Sequence, residues 1–136
     1  MMQRFGPVLQ VQINLPKHLS DQYAKDQKTI PPSVNGIALV DTGASLCCVD
    51  SAVVTQLGVL PVGLQKVSTP SGTEDQLVYP VLINCAEGPF FFNTNTALAS
   101  DHLLKNQGII ALLGRDLLAH TILIYDGRRG SFTIAW

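Results

Sequence analysis

Asp41-Thr42-Gly43 is the place in this chain where residue type and setting together point to catalysis. The triplet closes an apolar run, Gly36-Ile37-Ala38-Leu39-Val40, and leads into Ala44-Ser45. A carboxylate held at the end of a buried strand can take a proton from a water and so turn it into a nucleophile. One carboxylate cannot also supply the proton that the attacked group needs. The triplet occurs once, so an enzyme built on it requires Asp41 from a second copy of the chain. Much later a second continuous apolar run stops at a glycine. There Ile109-Ile110-Ala111-Leu112-Leu113 ends in Gly114-Arg115-Asp116.

The rest of the chain has to hold these two segments in place. Its 136 residues are enough for one domain with a real core. Hydrophobic residues make up 46% and charged residues 14%, which excludes a disordered tail. The net charge of −1, with acids and bases scattered, excludes the basic stripe of a nucleic-acid binder. No apolar run approaches the ~18 residues of a membrane helix, so no membrane partner is expected. The first residues, Met1 to Pro7, lack the apolar core of a secretory signal, and a cytoplasmic location is expected. Three cysteines, two of them adjacent (Cys47, Cys48 and Cys85), do not suit a disulfide framework and read as small apolar packing residues. His18, His102 and His120 lie far apart, so neither a metal site nor a cofactor is expected.

Val8 to Leu15 alternates with period two, which predicts a strand with one buried face, ended by Pro16. The polar stretch 17–33 reads as a loop insert with at most a helical turn. Leu46 to Val49 predicts a short strand. Asp50 stands where a helix N-cap belongs, and Gly58 where the helix would stop. A hairpin is expected over 66–80, with Thr69-Pro70-Ser71-Gly72 at its tip and Gln76 to Asn84 as the return strand. Phe90 to Phe92 and Ile109 to Leu113 add strands, and Arg115 to His120 reads as a short helix. Thr121 to Tyr125 and Ser131 to Trp136 form a closing hairpin. Many short strands with one or two small helices predict a closed, mostly antiparallel β-structure.

Asp41-Thr42-Gly43-Ala44-Ser45 followed by Leu112-Leu113-Gly114-Arg115-Asp116, with a Gly/Pro hairpin between them, resembles the retropepsin-like aspartic proteases. These are the retroviral and retroelement enzymes and their stand-alone relatives. The resemblance covers residues 34–136 and extends to the first strand. It implies an acid-protease β-barrel over 1–136 with a flap hairpin, completed as a two-fold homodimer. It also implies an aspartic endopeptidase in which the two Asp41 carboxylates share a proton and activate a water between them. Thr42 would then bond across the two-fold axis. Gly43 would accept a substrate hydrogen bond. Gly114 would let the second strand cross under the active loop, where a Cβ would clash. The substrate would be an extended polypeptide contacted by Ala44, Ser45, Leu113, Gly114 and the hairpin tip Pro70, Ser71 and Gly72.

This chain departs from the family pattern at several points. Ala44 stands where pepsin-like relatives carry a hydroxyl donor to the carboxylate. Its anion is then less stabilised, and the pH optimum is expected at ~4.5–6. Ser45 replaces the acid that partners the arginine in retroviral members, so Arg115 must find Asp116, Asp50 or backbone instead. Phe132, Ile134 and Trp136 alternate along the last strand and are expected to build the dimer interface. A catalytically weak dimerisation or peptide-binding module on the same fold is the alternative reading, and an unrelated β-barrel in which Asp41 is incidental is a third.

Overall fold

The computed structural model describes residues 6–86, 88, 90–101 and 108–136. Among the described residues nine strands occur in the order β1 (Val8–Asn14), β2 (Val34–Val40), β3 (Cys48–Asp50), β4 (Gly63–Thr69), β5 (Gly72–Cys85), β6 (Phe91–Ser100), β7 (Ile109–Leu113), β8 (Ile122–Asp126) and β9 (Ser131–Ala135). Three short helices interrupt them: α1 (Lys17–Lys25), α2 (Ser51–Leu57) and α3 (Arg115–Leu118).

Six strands close on themselves. The order runs β1-β2-β7-β3-β6-β5, and β1 pairs with β5 as well as with β2, so the ring has no free edge. β4 lies outside the ring, paired only with β5, and extends it as a long hairpin. β8 and β9 form a separate two-stranded sheet. The alternation along β1 is realised: Val11, Ile13 and Leu15 are almost fully buried while Gln12 is exposed. They meet Val40, Val49, Val53, Leu57, Val81, Ile83, Leu113 and Leu117 in one core. Burying each such side chain contributes about 1.5–3 kcal/mol.

Two features differ from the sequence expectation. The 17–33 stretch is not a loop throughout, because α1 occupies Lys17–Lys25. Its residues have little apolar content, but Leu19 and Tyr23, four apart, pack on the barrel. Lys17 pairs with Asp21 at 3.1 Å on the wet side. The closing hairpin also points the other way. Phe132 and Ile134 turn inward onto this chain's own core, and Trp136 stacks on Phe90 with ring centroids 4.8 Å apart. The outward face of β8 instead carries Ile122 and Ile124. The alternation was read correctly, but which face meets the barrel depends on how the hairpin folds back, which periodicity does not encode.

Other local signals are realised as expected. The Asp50 side chain accepts from the Ala52 N–H at 2.9 Å and caps α2, and Gly58 ends it in the left-handed region with φ +68. Pro70-Ser71 makes a two-residue turn with Thr69 opposite Gly72. Gly72 has φ +129, a conformation that favours glycine.

Candidate active site

Strand direction brings the two motif segments together. β2 and β7 run parallel, with Leu39 opposite Leu112 and Val40 opposite Leu113. Their C-terminal ends therefore emerge side by side, one leading into Asp41 and the other into Gly114. β7 also pairs antiparallel with β3, Cys48 opposite Leu112. The chain leaving β2 must pass over the end of β7 to reach β3, and the Asp41–Cys47 loop is that bridge.

Hydrogen bonds hold the bridge from below. The Asp41 N–H donates to the Leu113 carbonyl at 3.0 Å, and the Ala44 N–H to the Asp41 carbonyl at 3.2 Å. The Asp41 carboxylate, half-buried, accepts from the Gly43 N–H at 2.9 Å, which fixes its direction. Arg115 donates twice: its backbone N–H to the Ala44 carbonyl at 2.8 Å and its guanidinium to the Thr42 carbonyl at 2.7 Å. The partner for Arg115 that the sequence left open is thus backbone. A carbonyl supplies the contact that the exposed Ser45 does not make.

Gly114 has no room for a side chain. A Cβ there would stand 2.5 Å from the carbonyl carbon and oxygen of Leu46 and 3.0 Å from the Ala44 oxygen. Leu113 and Leu117, both fully buried, pin the backbone on either side of it.

Sequence reasoning missed a second clamp. The Asp116 carboxylate accepts from the Cys47 N–H at 3.1 and 3.2 Å, from the Cys47 thiol at 3.2 Å and from the Leu117 N–H at 2.8 Å. The Gly114 N–H in turn lies 3.4 Å from Cys47 Sγ. Burial and the neighbouring Asp116 both push the Cys47 thiol far up, so it remains a neutral donor. The available signal was Asp116 itself, an acid directly after a glycine and an arginine. Its partner lies 69 residues away.

The structure therefore joins Asp41, Thr42, Gly43, Ala44, Leu113, Gly114 and Arg115 in one hydrogen-bonded unit. The hairpin tip Pro70, Ser71 and Gly72 is exposed and makes no hydrogen bond to that unit among the described residues. The Thr42 side chain is exposed and likewise has no partner among them. Two grooves of about 650 and 670 Å³ lie beside α1, one at the base of the β4–β5 hairpin and one on the outer barrel face. No helix among the described residues is long and apolar enough to cross a membrane.

No protein-family model matches this sequence, and no curated protein matches it either. Solved structures do. The EIAV protease, determined with the inhibitor HBY-793, superposes with a TM-score of 0.51 over 84% of this chain and 86% of its own, at 20% identity. The fold is retropepsin-like. The simian foamy virus protease (TM-score 0.49, 19% identity, 82% of this chain and 91% of that one) and the retroviral protease-like domain of Ddi1 from Leishmania major (0.44, 20%, 94% and 88%) also match.

Proposed function

We propose that the protein is a homodimeric aspartic endopeptidase. The observation that carries this reading is the Asp41 loop. It presents a half-buried carboxylate oriented by the Gly43 N–H, on a loop tied by three hydrogen bonds to Leu113 at the end of β7 and to Arg115 just beyond it. A second copy related by a two-fold axis supplies what is lacking: a facing Asp41, a partner for the Thr42 hydroxyl and the opposite wall of a cleft. Two carboxylates about 3 Å apart share one proton. The ionised one takes a proton from a water, and the protonated one donates to the substrate carbonyl. Water attack gives a tetrahedral diol, and proton return to the nitrogen releases the amine. Gly43 and Ala44 leave space for an extended substrate backbone. The β4–β5 hairpin acts as the flap, with Pro70, Ser71 and Gly72 closing over the bound chain. The outward face of β8, with Ile122 and Ile124, is the apolar surface assigned to the partner copy.

The test is cleavage of an unfolded protein substrate across about pH 3 to 7 by the parent and by Asp41→Asn. Cutting by the parent alone, with an optimum at ~4.5–6, supports the reading. Equal cutting by both proteins refutes it, and an optimum below about pH 3 removes the role given to Ala44.

A further inference from the structure

The outer face of the barrel carries a second feature that the active loop does not use. β1, β5 and β6 lie side by side, and their outward residues form two rows. Gln12 stands opposite Asn84, which stands opposite Phe91. Asn14 stands opposite Leu82, which stands opposite Asn93. The inward neighbours Val11, Ile13, Ile83 and Cys85 are buried, so these rows face out. Together with Ile30 they line a groove of about 670 Å³, walled on one side by α1.

Three properties mark this face. Asparagine is depleted in strands because its side chain competes for backbone hydrogen bonds, yet three strands place Asn14, Asn84 and Asn93 here. Local rules broken together on one face are a signature of use. The amides of Gln12, Asn84 and Asn93 make no hydrogen bond within the described residues, and Asn14 accepts only from the Ser33 hydroxyl. The groove is also almost uncharged: Lys17 is the one ionic residue along it, while Phe91 is 62% exposed.

The chemistry of that lining selects a ligand. A side-chain amide offers the same donor and acceptor as a peptide group. Amides two residues apart on a strand lie about 6.7 Å apart, which is also the repeat of same-side groups along an extended polypeptide. Leu82, Phe91 and Ile30, set between the amides, offer apolar seats for alternate side chains. We propose that this groove is an exosite holding an extended, uncharged stretch of polypeptide substrate outside the segment that is cut. The proposal rests on the endopeptidase reading for its biological sense, but its test does not depend on cleavage.

The experiment measures binding of fluorescein-labelled, reduced and carboxamidomethylated α-lactalbumin, a permanently unfolded chain, to the full-length Asp41→Asn protein by anisotropy. The combined variant Gln12→Ala, Asn84→Ala, Phe91→Ala and Asn93→Ala is expected to raise Kd about tenfold or more, with an unchanged melting temperature. Asn84→Asp, nearly isosteric, puts a charge into the groove and is expected to weaken binding similarly, which keeps the test open if the combined variant fails to fold. An unchanged Kd in both variants overturns the proposal. So does no binding by the Asp41→Asn protein itself, or displacement of the labelled chain by maltoheptaose, which would reassign the amides to a sugar. Failure of the parent to cut any substrate would refute the protease reading while leaving this binding result to be judged by itself.

Discussion

Replacing Gly114 by alanine adds one methyl group at the point where β7 passes beneath the Asp41 loop. The Cβ would lie 2.5 Å from the Leu46 carbonyl carbon and oxygen, against 3.4 Å for an ordinary contact, so about 0.9 Å of backbone movement is required. Few parts can yield. Leu113 and Leu117 are fully buried on one side of the contact, and the Cys47 N–H is held by Asp116 on the other. The segment free to move is the loop that carries Asp41. Overpacking of this kind costs about 1–3 kcal/mol. For a chain of this size that lowers Tm by about 4–12 °C. A misplacement near 1 Å at reacting atoms costs about 100-fold in rate, so kcat/KM should fall by that order even when assayed well below Tm. Gly36→Ala is the control. The three atoms nearest its Cβ are side-chain atoms of Ile110, at 2.7 to 3.0 Å, away from the loop, and activity should change little. A Gly114→Ala protein that melts and cleaves like the parent would refute the claim that close approach at this residue sets the loop's position.

Further outcomes follow from the same geometry. Asp50→Ala removes the cap on the Ala52 N–H and should destabilise the fold by about 0.5–2 kcal/mol, read from urea unfolding, with Asp50→Ser restoring most of it. Burial first, and the Asp50 charge second, push the Cys48 thiol up to about 11. Its thiolate fraction near pH 8 is then ~0.1%, and a disulfide reagent should label the native chain far more slowly than the chain in guanidinium. Because the folded state keeps this proton where the unfolded one loses it near 9.0, the contribution to stability is complete below pH 9 and is lost as pH rises toward 11. A flat stability curve over that window would contradict the burial of Cys48. Deleting Phe132–Trp136 removes core residues as well as a strand, and should abolish cooperative melting. Ile124→Asp on the outward face should leave the chain folded but shift sedimentation from dimer to monomer.

What could be read from the chain alone was whatever is encoded within a few residues. Asp50 and Gly58 bracket α2 because capping is a matter of the residue and its next two or three neighbours. Pro70-Ser71 and Gly72 mark a turn for the same reason, and the period of two along β1 announces its buried face. The apolar runs closed by Asp41-Thr42-Gly43 and by Gly114 marked a candidate site because each is a local pattern and their order carries the rest. Contacts between distant residues were not legible. β6 continues through Asn93-Thr94-Asn95-Thr96, a poor strand sequence, because β5 pairs with it at Asn93 and Thr94 and again from Ala97, where β3 joins on the other side at Leu98 to Ser100. The parallel pairings of β2 with β7 and β3 with β6, the clasp of Asp116 on Cys47, and the outward turn of Ile122 and Ile124 have no local signature. Local sequence marks the residues whose chemistry makes them candidates and the places where the chain bends. Only the closing of the barrel decided which of them meet, because closure lets residues about seventy positions apart share one hydrogen-bonded loop.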